Sequence, residues 1–99
     1  MRGKDRAALR GEAHHLSPSV HIGHQGLIDS VRQSVDDALR ARELVKVQLA
    51  RTAPLDAKQA AGSLAAALQA EIVQVIGRTM TLYRHNPELD RGAGPPWRR

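Results

Sequence analysis

The hydrophobic period of this chain changes twice between residues 20 and 49, and that change restricts the possible folds more than any other feature. Val20 and Ile22 flank His21 in the period of two expected of a strand. Leu27, Ile28, Val31, Val35, Ala38 and Leu39 then recur at helical spacing, with acids and arginines on the opposite side. From Leu44 to Leu49 the period is two again: Val45, Val47 and Leu49 share one face, Lys46 and Gln48 the other. A strand, an amphipathic helix and a second strand form a crossover unit, which favours parallel pairing with the helix laid on the sheet.

The remaining segments extend this pattern. Lys4 to His14 reads as a helix with a weak apolar stripe through Ala7, Leu9 and Ala13, broken by Ser17-Pro18. Pro54 and Asp56 open a third helix, with Ala57, Ala61, Leu64, Ala65 and Leu68 inward and Asp56 placed as its N-cap. Ile72 to Ile76 is a third strand, Gly77-Arg78 a tight turn, and Thr79 to Arg84 a fourth strand returning antiparallel. The α-β-α-β-α-β-β order predicts a small α/β two-layer sandwich on a mixed four-stranded sheet. Residues 1–85 suffice for one domain, and Pro, Gly and charge over 86–99 predict a flexible basic tail. With no Phe, one Trp and one Tyr, the core must be built from Leu, Ile, Val and Ala.

Several functions have little support. There is no cysteine, so disulfides and Cys-ligated metals are excluded. No apolar stretch approaches the roughly 20 residues of a membrane span, and the charged N-terminus leads into no apolar signal core. A cytoplasmic location without a membrane partner is expected. His14-His15, His21 and His24 invite a metal reading, but zinc needs three or four converging ligands, and adjacent histidines on a helix point apart. No nucleophile stands beside an orienting base. Neither enzymatic activity, a cofactor nor a small-molecule substrate is expected, and a monomer is the default.

Charge is more informative. A net charge of +5 and a pI near 10.7 point to a polyanionic partner. An arginine-rich composition without a binding role would give the same values, so distribution matters. Arg2, Lys4, Arg6 and Arg10 crowd the start, and Arg84, Arg91, Arg98 and Arg99 lie at the end. The middle helix instead sets Asp29, Asp36, Asp37 and Glu43 against Arg32, Arg40 and Arg42, which points to a polarised surface. Lys46, Arg78 and Arg84 each suit either a phosphate contact or a solvated face.

Gly23-His24-Gln25-Gly26 joins the first strand to this helix. A helix start carries unpaired N–H donors and partial positive charge. Flanking glycines let another backbone approach, so phosphate or another anion is the natural ligand. The chain has 8 glycines, however, and plain turn formation produces the same spacing. If anions do bind there, Gly26→Asp should impair binding with the fold largely intact. Protonation of His24 should strengthen it.

The run from Leu16 to Leu27 (Leu-Ser-Pro-Ser-Val-His-Ile-Gly-His-Gln-Gly-Leu) resembles the opening of the CRM domain, whose bacterial stand-alone form is the YhbY family. Glu43-Leu44-Val45-Lys46-Val47 is similar to a second block of that family. A third is Val73-Gln74-Val75-Ile76-Gly77-Arg78-Thr79 running on to Leu82-Tyr83-Arg84. The similarity covers roughly residues 4–85. It implies an RNA-binding protein associated with precursors of the large ribosomal subunit, and a fold like the C-terminal domain of translation initiation factor three. It further implies that Gly23, His24, Gln25 and Gly26 form the RNA-contacting loop, extended by Lys4, Arg6 and Arg10. The chain departs from the family pattern in two respects. His24 and Gln25 stand where many relatives carry a basic residue, and Ile28 stands where Thr is common. Ile cannot cap a helix, so Asp29 or water is expected to serve.

Structured RNA, held by backbone and shape, is the expected ligand. Base–aromatic stacking contributes about 1–3 kcal/mol per base, and the chain offers only Tyr83 and the tail's Trp97. Tyr83 is expected to pack on the sheet. The alternative function is a general nucleic-acid module, including DNA, or a protein-interaction module on the same basic scaffold.

Overall fold

The computed structural model describes residues 3–89, with side chains from 5 to 88. Its elements are α1 (Gly3–Ala13), β1 (Val20–Ile22), α2 (Asp29–Arg42), β2 (Leu44–Leu49), α3 (Ala57–Leu68), β3 (Glu71–Ile76) and β4 (Thr79–Tyr83). A short 3-10 turn, Pro87–Leu89, follows. The element order and the mixed four-stranded sheet are those expected.

The strand order is β1-β2-β4-β3. β1 pairs parallel with β2, as the first crossover requires. The second crossover behaves differently: β4 pairs antiparallel with both β2 and β3 and lies between them. β2 and β3 therefore point the same way without touching. A crossover dictates direction, and the closing hairpin, folding back, takes the place beside β2.

Alternation along the strands divides the apolar residues between two faces. Val20, Ile22, Val45, Val47, Leu49, Met80 and Leu82 face α2 and α3 and are buried with Val35, Leu39, Ala60, Ala61 and Leu64. The alanines of α3 bring its axis close to the sheet. Leu44, Val73 and Tyr83 face the other way and are covered by Leu9 of α1. The sandwich of sheet, α2 and α3 thus carries a helix on its second side, at one end only. Tyr83 is 7% exposed in this cluster and packs on the sheet as expected.

Polar joints hold the helices. Asp56 caps α3: its carboxylate accepts from the Gln59 N–H at 2.7 Å, and the Gln59 side chain accepts from the Asp56 N–H at 3.1 Å. Lys46 Nζ donates to the carbonyls of Ala13 and Leu16 at 3.1 and 3.2 Å, placing its charge at the negative end of α1. Arg84 Nη1 donates to Asp36 Oδ1 at 2.7 Å and to the Leu68 carbonyl at 3.0 Å, tying α2 to the end of α3. Beyond β4, the Asn86 side chain donates to the Arg40 carbonyl and its N–H to buried Glu43, both at 2.7 Å. The chain is thus attached to α2 past residue 85. The rest of the expected tail, 90–99, lies outside the described residues.

Candidate nucleic-acid interface

Strand direction gathers three connections at one end of the sheet. β1, β2 and β3 all finish there, so the Gly23–Gly26 loop, the 50–56 segment and the Gly77-Arg78 turn emerge together. They are joined to each other: the Ala50 N–H donates to the Ile22 carbonyl at 2.8 Å, and the Leu49 N–H to the Arg78 carbonyl at 2.7 Å.

Within the glycine loop the two glycines differ. The Gly26 N–H donates to the Gly23 carbonyl at 3.0 Å, closing a tight turn that leaves His24 and Gln25 exposed at its tip. Gly23 is exposed, and a β-carbon there would meet nothing within 4 Å. Gly26 is buried with φ +74°, and a β-carbon there would lie 3.0 Å from Pro54 Cγ. Residue 26 is glycine because of its own fold, so the expectation that Gly26→Asp spares the fold is corrected.

Helix α2 begins with Ile28 at the N-cap and no side-chain cap. Asp29 does not cap. It is the first helical residue, past the point from which a side chain can reach back. Its carboxylate instead accepts from Arg32 Nη1 at 3.1 Å. The Ile28 N–H donates to the Gly26 carbonyl at 3.0 Å. The main-chain N–H groups of His24, Gln25, Asp29 and Ser30 have no acceptor among the described residues. The donors offered to an anion are therefore at the loop tip and the first helical turn, with the nearest carboxylate already paired.

Beside this loop lies a shallow depression of about 410 Å³ whose walls include Arg51, Pro54, Gln59 and Arg78. Asp56 also lines it, its carboxylate held by the α3 cap. Arg51 and Arg78 are exposed and form no ion pair among the described residues. Sequence reasoning singled out Arg78 and missed Arg51. The available signal was position: each is a cation just beyond the end of a strand.

The other expected contacts divide by location. Arg6 and Arg10 are exposed on α1, whose Leu9 lies over Leu44, Val73 and Tyr83. That is the far end of the sheet from the glycine loop, so these cations do not adjoin the loop. The Lys4 side chain lies outside the described ones. Arg84 is committed to the internal joint described above, which moves it from the interface to the framework. Lys46 is held in its own joint on the α1 side of the sheet, away from the loop end, with one ammonium proton left over.

A mixed sheet whose loop end gathers uncommitted arginines and helix-start N–H groups defines a small α/β domain with an edge whose chemistry suits an anion. The CRS1 / YhbY (CRM) domain family matches residues 1–84, and the chain belongs to that family. It is 35% identical over 88 residues to a Bacillus subtilis protein named probable RNA-binding protein YqeI, covering 89% of this chain and 92% of that one. It is 41% identical over 86 residues to probable RNA-binding protein MJ0652 of Methanocaldococcus jannaschii, covering 85% of this chain and 63% of that longer one. The fold is similar to the solution structure of the hypothetical protein SAV1595 from Staphylococcus aureus. The TM-score is 0.77 at 36% identity, over 91% of this chain and 94% of that one.

Proposed function

We propose that this chain binds structured RNA through phosphate contacts at the loop end of its sheet, and acts in assembly of the large ribosomal subunit. The observation that carries the binding reading is the convergence of the Gly23–Gly26 tip, the first turn of α2, Arg51 and Arg78. The relatives' names support RNA as the polyanion, and the family resemblance supports the ribosomal role. Helix-start N–H groups hold one phosphate, and the arginines neutralise others. His24 at the tip adds charge when protonated. Recognition is by backbone and shape, because the described residues present no aromatic platform: Tyr83 is buried.

Competition tests the ligand class. Folded ribosomal RNA should displace a bound RNA probe far better than duplex DNA of equal length. Equal displacement would favour the general nucleic-acid reading. Cosedimentation with immature large subunits, and not with mature ones, tests the assembly role.

A further inference from the structure

α1 covers only part of its side of the sheet. Past Leu44, Val73 and Tyr83 the cross-strand register leaves two rows on that side. One is Lys46, Thr81 and Gln74; the other is His21, Gln48, Thr79 and Ile76. Neither row holds a carboxylate. A register irregularity between Ile72 and Gln74 turns Val73 under α1 and still brings Gln74 to the same side. Bulges often re-aim a side chain in this way.

Over these rows lies a space of about 170 Å³, lined by His14, Lys46, Gln74, Ile76, Thr79 and Thr81. It is smaller than the roughly 300–1,000 Å³ of drug-sized ligand sites, so it suits one planar group, with whatever is attached to that group lying at its rim. Three features are otherwise unexplained. Ile76 is 60% exposed. The buried Thr81 hydroxyl has no hydrogen-bond partner among the described residues, which is uncommon in a folded protein. Lys46 has used two of its three ammonium protons. The position matters equally: this face lies between the exposed cations Arg6 and Arg10 of α1 and Arg78 of the hairpin. A polyanion touching both sets must cross it.

We infer that this open face holds one unpaired nucleotide of the bound RNA. The base lies over Ile76 with its edge toward Gln74 and Thr79, and the adjoining phosphate faces Lys46 and His14. The inference rests on the RNA-binding reading. It adds a preference for a single-stranded nucleotide beside a duplex, which the loop end alone does not provide.

The test compares a blunt RNA duplex with the same duplex carrying a short overhang that contains 4-thiouridine. Fluorescence anisotropy at fixed salt should show the overhang tightening binding by roughly three- to tenfold, the scale of one net hydrogen bond to the base edge. Gln74→Ala and Ile76→Ala should each remove most of that gain and leave the blunt duplex bound as before. Photocrosslinks from the overhang should fall on β3 and β4. The proposal is overturned if the overhang adds nothing, if its gain survives both variants, or if crosslinks fall elsewhere. It is also overturned if sedimentation shows a second copy of the chain covering this face. A blunt duplex that fails to bind at all would instead remove the RNA reading on which the proposal stands.

Discussion

Gly26 lies against Pro54, and a β-carbon on residue 26 would come within 3.0 Å of the proline ring. This contact fixes the glycine loop to the segment carrying Arg51, so the two parts of the proposed RNA-binding edge are positioned together.

Gly26→Ala should therefore destabilise the fold by about 1–3 kcal/mol, from left-handed backbone strain plus the overlap with Pro54. Gly23→Ala should change stability by less than about 1 kcal/mol, because its β-carbon enters open space. Urea unfolding of the two variants checks the difference. Equal stabilities would contradict the packing account of Gly26.

Arg84→Ala should cost roughly 1–3 kcal/mol, since it strips the Leu68 carbonyl of its donor and leaves Asp36 with only the exposed Arg40. Arg84→Lys should recover only part of this, because one ammonium cannot reproduce the planar fork. RNA affinity of the folded variant should be unchanged. A selective loss of affinity would return Arg84 to the interface.

Arg51→Ala and Arg78→Ala should weaken RNA binding with little change in stability. Each should also lower the slope of log affinity against log salt by about one unit. The wild type should lose affinity steeply between roughly 50 and 200 mM salt. A slope that neither variant alters would place the phosphates elsewhere.

Asp56→Ala should remove the α3 cap and cost about 1 kcal/mol. Thermal melting checks this. The capping box is at the surface, so Asp56→Asn should retain much of the stability.

Local features of this chain were legible in its sequence. Periodicity placed all seven main elements near their observed bounds, and Asp56 could be read as a cap because its partner is three residues away. Features that depend on distant contacts were not. Nothing near β4 says that it will lie between β2 and β3. The need for glycine at 26 depends on Pro54, in another loop. Lys46 and Arg84 looked like free cations because their acceptors, the end of α1 and Asp36 with Leu68, meet them only after folding. Arg51 was passed over because a lone cation in a turn gains meaning only when Arg78 arrives beside it.

Amide chemical-shift mapping with a structured ribosomal RNA fragment, repeated at low and moderate salt, tests the central claim most directly. The account predicts salt-sensitive shifts at His24, Gln25, Asp29, Ser30, Arg51 and Arg78, with the outer faces of α2 and α3 unmoved. Shifts confined to those outer faces, or a loop end that stays silent while RNA binds, would contradict it.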